Sequence, residues 1–175
     1  TKAVEQLGYD LSEEDNAKVF EAFRLIAAKK EQVGIRELDA IVASAAMQVP
    51  PTYTLDSYVV TSGNTISSTA HIKLTKHDQP LEGVCIGDGP IDAAFKAIDQ
   101  IVKPHNPAFE NFTIHSISEG KDTLGDVIVK LSMDGQYFTG KGLSTDILEA
   151  SIVAYINAVN KLCASAAKIQ ENEVQ

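Results

Sequence analysis

The sequence contains no tryptophan and only two cysteines, Cys85 and Cys163, among its 175 residues. Two cysteines are too few for a disulfide framework, and these two do not have the spacing of a zinc site. We expect both to be buried or half-buried thiols in a reducing compartment. The sequence also lacks an apolar run near the roughly 18–20 residues of a membrane span, and it does not open with a signal peptide. These absences favour a cytoplasmic protein with no membrane partner.

Positive charge is scarce as well. The chain has 15 lysines and arginines against 24 acidic residues, which gives a formal net charge of −9 and a pI near 4.8. Binding to a phosphate backbone requires a positive field, so we expect no nucleic-acid partner. Apolar residues, by contrast, make up 44% of the chain, which is enough for a packed core. The length fits one domain, or a compact domain with a short extension.

Residues 1–53 are predicted to form a helical subdomain. One amphipathic stripe occupies residues 12–30, with Ser12 as the candidate N-cap, and a second occupies residues 35–48 before Pro50-Pro51 ends it. Two adjoining helices predict a hairpin whose apolar stripes need a partner surface. The stripes consist of Val19, Phe20, Phe23, Ile26 and Ala27 in the first helix and of Ile35, Leu38, Ile41, Val42 and Ala45 in the second.

After this boundary the apolar period changes from 3.6 residues to 2, which is typical of strands. Strands are predicted at residues 55–61, 68–75 and 81–86, and a helix is predicted to begin at Pro90, where the missing N–H of proline is tolerated. The same order then recurs. The predicted strands of the second unit are residues 112–118, 126–133 and 136–141, and its helix carries Leu148, Ile152, Tyr155, Val159 and Leu162.

An internal duplication explains this recurrence. A shift of 57 residues places Gly83 on Gly140 without a gap. The predicted fold class is α+β, with two βββα units, each a three-stranded antiparallel sheet with a helix, behind the helical hairpin. The units are placed at about residues 54–104 and 111–163, within a duplicated domain of residues 54–175. Paired glycines are expected to join the last strand of each unit to its helix, and these are Gly87 with Gly89 and Gly140 with Gly142.

The turn at residues 87–92, GDGPID, is the segment that most favours a ligand site. The amides at a helix N-terminus attract anions, but Asp88 and Asp92 would repel a phosphate. A small zwitterion fits better, with its carboxylate on the amides, its ammonium on Asp92 and an apolar side chain against Ile91 and Phe112. The alternative is that the glycines only serve a tight strand-to-helix turn.

No catalytic or metal-binding set can be assembled from the sequence. The four histidines form no HxH or HxxxH pair, and the GxSxG motif of serine hydrolases is absent. His71 falls on the strand face opposite the core residues. Asp146 and Glu149 have the three-residue spacing of a helix capping pair, so we assign them to the start of the last helix rather than to acid–base chemistry. The motifs in the sequence therefore favour a protein that has neither a catalytic site nor a metal site.

Five segments, in order, carry a resemblance to a known family. They are VTSGN at residues 60–64, AHIKL at 70–74, GDGPIDAA at 87–94, SEGKDTLG at 118–125 and STDILEAS at 144–151. Over residues 55–162 the chain resembles the C-terminal allosteric domain of 2-isopropylmalate synthases. Its head, with LGYDLS at residues 7–12, is similar to the linker subdomain that precedes that domain. Citramalate synthases share the architecture and are the alternative, although Pro90 after Gly89 favours the leucine-pathway family.

The resemblance implies a parent enzyme that condenses acetyl-CoA with 2-oxoisovalerate on a divalent metal in a TIM barrel, which commits carbon to leucine. The barrel and its metal-binding HxH pair have no counterpart in this sequence, which begins at Thr1 and not at methionine. We therefore expect a fragment of a longer chain that is not an enzyme by itself. It is expected to hold no cofactor, because the divalent metal and acetyl-CoA belong to the catalytic barrel.

The resemblance also implies a homodimer that binds a feedback inhibitor between its protomers, with leucine as the effector and isoleucine as the alternative. Phe112 stands where the family often has tyrosine, so a hydrogen-bonding hydroxyl is missing. Two other hypotheses are a dimerisation module without an effector site and a free-standing enzyme. The effector-binding residues that the motifs imply are Gly87, Gly89, Ile91, Asp92, Phe112, Ser116, Thr123 and Gly125.

Overall fold

The computed structural model describes residues 13–29, 33–46, 49–103, 105–117 and 123–173. The predicted α+β fold is confirmed, because a helical hairpin precedes two units that each have three antiparallel strands and a helix. The predicted N-cap Ser12, the LGYDLS segment and the element ends predicted at residues 30, 48 and 118 lie outside the described residues. The elements are α1 (Glu13–Ala27), α2 (Ile35–Ala46), β1 (Thr54–Thr61), β2 (Ser68–Lys76), β3 (Gln79–Gly87), α3 (Pro90–Ile101), β4 (Ala108–Ser116), β5 (Gly125–Met133), β6 (Gln136–Ser144) and α4 (Ile147–Glu173).

We call α1 and α2 the head, β1–β3 with α3 the first unit, and β4–β6 with α4 the second unit. The second unit departs from the sequence prediction at two strand ends. β4 begins at Ala108, four residues early, because a bulge between Phe109 and Asn111 interrupts the alternation that marks the strand. β6 continues to Ser144, three residues beyond the predicted end. Both strands are therefore as long as β5, the central strand with which they pair.

Gly140 and Gly142 lie inside β6, so the prediction that they join this strand to the helix is wrong. A Cβ on Gly140 would overlap the carbonyl oxygen of Ala154, and a Cβ on Gly142 would overlap that of Ala150. Helix α4 therefore packs directly on the strand backbone at these two positions. The connection from strand to helix runs through residues 144–146 instead.

The duplication is confirmed, but the ungapped superposition is wrong for the first strands. The second strands, the third strands and the helices begin 57 residues apart. Tyr58 of β1 pairs with Ile72, whereas Phe112 of β4 pairs with Val129, so the first strands correspond at a shift of 54. The second unit has three more residues before its second strand: one lengthens β4, and two lie in the loop, where insertions are tolerated. Tyr58 and Phe112 are thus equivalent positions.

The two units share one hydrophobic core. Helices α3 and α4 each cover one face of their own sheet, and the side chains of β2 and β5 that face them are fully buried. The helices also meet each other, with the ring of Phe95 in α3 4.4 Å from the ring of Tyr155 in α4. The alternation predicted for the central strands is therefore confirmed. The buried strand residues are Ala70, Ile72 and Leu74 in β2 and Val127, Val129 and Leu131 in β5.

The head packs against the second unit, which supplies the partner surface that its apolar stripes require. Leu124 is fully buried in this smaller core, and Ile117 and Leu143 pack at its margin. Phe20 and Ile35, which the sequence places on the stripes, are 64% and 75% exposed. Phe20 lies about 100° around the helix from its buried neighbour, so the buried stripe is narrower than predicted. The buried apolar residues of the head are Val19, Ile26, Ile41, Val42 and Ala45.

Helix α4 contains the one segment of the described residues that is long and apolar enough to cross a membrane, Ile147–Ala167. Its mean hydropathy is 1.3, and 56% of it is buried within the protein. The sequence interpretation misses this segment because Asn157, Asn160 and Lys161 interrupt its apolar residues. The core helix of a soluble protein meets the same criterion, and α4 packs on both β5 and β6.

Candidate functional site

The connection between β3 and α3, residues 87–92, is the first junction, and its equivalent in the second unit, residues 144–149, is the second junction. β3 ends at Gly87, and Gly89 is the N-cap of α3 with an extended backbone (φ −154°, ψ 173°). The carbonyl oxygen of Gly89 accepts a hydrogen bond from the N–H of Ala93 at 2.9 Å, but no side chain caps the helix. The positive end of the α3 dipole is therefore not neutralised by a capping group.

A shallow bowl lies over the first junction. Its walls are residues 62–68, which comprise the loop between β1 and β2 and the first residue of β2, and residues 87–90. The loop is rich in hydroxyl side chains, and the Oγ atoms of Ser62 and Ser68 are hydrogen-bonded at 2.8 Å. Because its lining is mostly polar, the bowl suits the polar end of a small molecule.

The two glycines of the first junction have different roles. A Cβ on Gly87 would overlap the backbone nitrogen of Ala93 and lie 2.7 Å from its Cα, so the close packing of β3 on α3 requires glycine. A Cβ on Gly89 would meet no atom within 4 Å, and the extended φ of Gly89 suits any residue. Packing at the turn explains the glycine at 87, whereas the glycine at 89 faces open space.

Asp92, the predicted ammonium partner, is ionised. Its Oδ2 accepts hydrogen bonds from Lys96 Nζ at 2.8 Å and from the N–H of Asp88 at 2.9 Å. The hydrogen bond from Lys96, followed by that from the Asp88 amide, holds the pKa of the Asp92 carboxyl below its ordinary value. The side chain is 42% exposed, so the carboxylate can accept a further donor from the solvent side.

The second junction is filled by side chains of the protein itself. Asp146 is the N-cap of α4, and its Oδ1 accepts the N–H of Leu148 at 2.8 Å. Glu149 does not complete a capping pair, because its Oε2 accepts hydrogen bonds from Ser144 Oγ and from Lys29 Nζ of the head. The helix start predicted from this pair is confirmed for Asp146, but the capping role predicted for Glu149 is wrong.

Tyr58 closes the second junction further. Its hydroxyl donates to Asp146 Oδ2 at 3.3 Å, and burial, together with the charges of Asp146 and Glu149, raises the pKa of Tyr58 to about 12. The equivalent positions at the first junction are Phe112 and Gly89, which have neither the hydroxyl nor the carboxylate. The start of the helix is thus covered by side chains at the second junction and left uncovered at the first junction.

Four of the eight residues implied by the resemblance belong to the first junction, and a fifth, Phe112, lies on β4 and packs near α3. Ile91 packs half-buried against the main core, and the ring of Phe112 lies 6.1 Å from the ring of Phe95 in α3. The aromatic ring on β4 is therefore next to the helix that starts at the open junction. The five residues are Gly87, Gly89, Ile91, Asp92 and Phe112.

The other three residues lie in the second unit, at the loop between β4 and β5. Ser116 and Gly125 pair across the two strands, and Thr123 lies in the loop two residues before Gly125. The loop is closed by a hydrogen bond from the N–H of Ile117 to the carbonyl of Leu124, and both of these residues contact the head. This second group does not line the bowl within one chain.

Three features of the site are not identified from the sequence as functional: residues 62–68, Lys96 and the Tyr58–Asp146 contact. Lys96 follows Asp92 by four residues, a helical spacing that predicts the ion pair. Residues 62–64 of the loop fall within a segment that carries the resemblance, but no role is assigned to them there. No sequence signal pairs Tyr58 with Asp146, because their contact depends on how the two units pack.

Ionisable groups also meet on the outer face of the first sheet. Glu82 lies 3.0 Å from Lys73 Nζ and 3.0 Å from His71 Nε2, and these bonds, with that of Lys73 the larger, lower the pKa of Glu82. All three side chains are at least one-third exposed. Over the part of the chain that the structure describes, no three His, Cys, Asp or Glu side chains are grouped so that they could hold a metal ion.

Comparisons with known proteins match most of the chain. The model of a family described as the LeuA allosteric (dimerisation) domain matches residues 32–163. The chain is 44% identical over 158 residues to the 2-isopropylmalate synthase of Carboxydothermus hydrogenoformans and 42% identical over 160 residues to that of Pelotomaculum thermopropionicum. These alignments cover 90% and 91% of this chain but 31% and 32% of the relatives. The chain thus spans about a third of the length of these curated relatives.

Proposed function

Because the chain belongs to the LeuA allosteric (dimerisation) domain family, we propose that it is the regulatory and dimerisation part of a 2-isopropylmalate synthase. In this proposal leucine binds as a feedback inhibitor at the interface of a cytoplasmic homodimer. The condensation of acetyl-CoA with 2-oxoisovalerate takes place in a catalytic barrel outside this chain, and the divalent metal and acetyl-CoA bind there. The chain by itself has no catalytic activity.

The observation that carries this proposal is the contrast between the two junctions. At the second junction Asp146 caps the helix and Tyr58 bonds to Asp146, whereas at the first junction the same positions are Gly89 and Phe112. The uncapped amides of α3 suit a carboxylate, and Asp92 suits an ammonium. An aliphatic side chain then lies against the apolar ring of Phe112. These are the three parts of a branched-chain amino acid.

The inner face of β4 supports a dimer. Ile114 pairs with Val127, so both side chains face the core side of the sheet. Val127 is fully buried, but Ile114 is 45% exposed and Phe109 is 50% exposed. A second copy of the chain that covers β4 would bury this uncovered edge of the core. In such a dimer we assign Ser116, Thr123 and Gly125 to the wall that one protomer supplies to the open junction of the other.

A dimerisation module without an effector site is the second candidate function, and one observation favours it. The Asp92 carboxylate already accepts hydrogen bonds from Lys96 and from the Asp88 amide, so an incoming ammonium would share it with a lysine of the same helix. In this alternative Gly89 is only a permissive N-cap. The two candidates differ in a single measurable property, which is effector binding.

Calorimetric titration of the chain with leucine, isoleucine and valine tests the proposal. We expect leucine to bind with measurable heat and more tightly than the other two. Asp92→Ala should weaken leucine binding about 10-fold or more, because a hydrogen bond to a charged group contributes about 1.5–3 kcal/mol. Asp88→Ala is the matched control, since Asp88 contributes only its backbone N–H to Asp92.

Each outcome of the titration selects one function. Heat from isoleucine in preference to leucine would assign the chain to the citramalate synthase type of regulation. No heat from any of the three amino acids, together with a stable dimer in sedimentation, would favour the second candidate, a dimerisation module without an effector site. Equal losses of affinity in Asp92→Ala and Asp88→Ala would mean that Asp92 is not the ammonium partner.

A further inference from the structure

Helix α4 contacts both the head and the first unit. In its first turn, Glu149 lies 2.6 Å from Nζ of Lys29, which is in the turn directly after α1. One and a half turns later, the hydroxyl of Tyr155 donates to Asp99 Oδ1 of α3 at 2.6 Å. Tyr155 is almost fully buried, so this bond fixes the helices relative to each other within the shared core. One rigid helix thus connects α3 to the head.

Aromatic rings extend this connection to the first junction. The ring of Tyr155 lies 4.4 Å from the ring of Phe95, which in turn lies 6.1 Å from the ring of Phe112 on β4. Phe95 is one helical turn after Asp92 on α3. A ligand that moves Phe112 or the first turn of α3 therefore moves the ring on which Tyr155 stacks, since packed cores transmit displacements.

The contact between the head and the second junction is incompletely packed. A cleft of about 230 Å³ lies between them, with a mostly apolar lining to which Leu25 and Ile41 belong. Lys29 and Glu149 also line this cleft, and their ion pair holds the head across it. Leu25 is 62% exposed although it lines the cleft. A contact with few buried groups opens at lower free energy than the main core.

We propose that Tyr155 is a positioning residue that couples effector occupancy of the first junction to docking of the head on the second junction. This inference rests on the proposed function. The order of contacts is Phe112, Phe95, Tyr155 with Asp99, and then α4 with its Glu149–Lys29 pair. Effector binding tightens the head against the second unit. Coupling free energies are reciprocal, so the docked head must in turn strengthen effector binding.

Hydrogen exchange of the full chain, with and without leucine, tests the coupling. We expect leucine to slow amide exchange in α1 and α2 as well as at the first junction. Tyr155→Phe keeps the ring and removes one hydroxyl, so it should still bind leucine but lose most of the response of the head. Tyr137→Phe is the matched control, because it removes the same atom from an exposed tyrosine on β6. It should respond as the unmodified chain does.

Reciprocity gives an independent measurement. Lys29→Ala removes the ion pair with Glu149, which lies outside the first junction. It should weaken leucine binding about 2- to 5-fold, because a partly exposed ion pair contributes only modestly. A head response that persists in Tyr155→Phe, or a leucine affinity that is unchanged in Lys29→Ala, overturns the coupling. Leucine heat without any response of the head overturns the coupling alone. The absence of leucine heat overturns the proposed function and the coupling with it.

Discussion

The side chain of Asn160 holds the linker between the head and the first unit. Its Oδ1 accepts hydrogen bonds from the N–H groups of Thr52 at 3.1 Å and Tyr53 at 2.8 Å, and its Nδ2 donates to the carbonyl of Tyr53 at 2.9 Å. Asn160 and Tyr53 are both buried, so the backbone groups of Tyr53 depend on Asn160 rather than on water. A single amide on α4 thus satisfies a stretch of chain that has no strand partner of its own.

Replacing Asn160 should therefore be costly. In Asn160→Ala the buried groups of Tyr53 lose their partners, and we expect the free energy of unfolding to fall by about 1–3 kcal/mol. Asn157→Ala is the comparison, because Asn157 donates only one hydrogen bond, to the carbonyl of Lys141. Urea unfolding of the two variants measures the difference. An equal loss of unfolding free energy in both variants would contradict the special role of Asn160 in holding the linker.

Substitutions of the two glycines of the first junction should have different effects on the free energy of unfolding, measured in the same way. Gly87→Ala places a Cβ against the backbone of Ala93, which cannot move without shifting α3, so we expect a loss of about 1–3 kcal/mol. Gly89→Ser places its side chain in open space at an N-cap position that serine favours, so stability should stay the same or rise. A destabilised Gly89→Ser variant would show that the glycine is required by the turn.

At the scale of elements, the sequence predicts each element of the described fold but not all of their ends. Alternation identifies β2 and β5, whose buried residues Ile72 and Val129 match the prediction. It misses the start of β4, because a bulge there changes the period. It also misses the end of β6, because Gly140 and Gly142 resemble turn residues, whereas in the structure they allow α4 to approach the strand backbone. Local pattern does not report which backbone a neighbouring helix approaches.

The contact between α3 and α4 should make stability depend on pH. Burial raises the pKa of Asp99 more than the hydrogen bond from Tyr155 lowers it. The folded state then keeps a proton that the unfolded chain has lost, so the free energy of unfolding falls as pH rises from the ordinary value of 3.8 through the raised pKa. Asp99→Asn keeps an acceptor for Tyr155 and carries no charge, so it should remove this fall.

Urea unfolding over a series of pH values checks the prediction. The difference in the free energy of unfolding between Asp99→Asn and the unmodified chain should change in favour of the variant as pH rises, and then level off above the raised pKa. A difference that is constant with pH would show that Asp99 has the same pKa in the folded and unfolded states. Comparing the two proteins cancels the contribution of the other carboxylates.

At the scale of the whole molecule, the chain has one core shared by two units and a smaller core under the head. The outer face of the first sheet also carries exposed apolar side chains, among them Val84 and Ile86. These are the alternative place for a second copy to bind. The inner edge of β4 is the better candidate, because Ile114 continues a row of core residues that already excludes water.

The position of the dimer interface can be decided with two equivalent substitutions. Ile114→Glu places a charge on the inner edge and should raise the dimer dissociation constant about 10-fold or more, because an unpaired charge is costly to bury. Ile86→Glu places the same charge on the outer face, where Ile86 is 65% exposed, and should leave the dimer intact. Sedimentation velocity over a range of concentrations distinguishes them. A dimer that is weakened by Ile86→Glu and not by Ile114→Glu would show that the interface lies on the outer face of the first sheet.

The sequence by itself determined the fold class, the duplication and the location of the first junction, because periodicity, turn residues and repeated motifs are local properties of the chain. It also predicted that the carboxylate of Asp92 and the helix start at Gly89 lie together at this junction. Only the tertiary structure decided that the second junction is closed, since Tyr58, Asp146 and Lys29 come together from distant segments. The difference between the two junctions is therefore a property of packing, and no stretch of the sequence carries it alone.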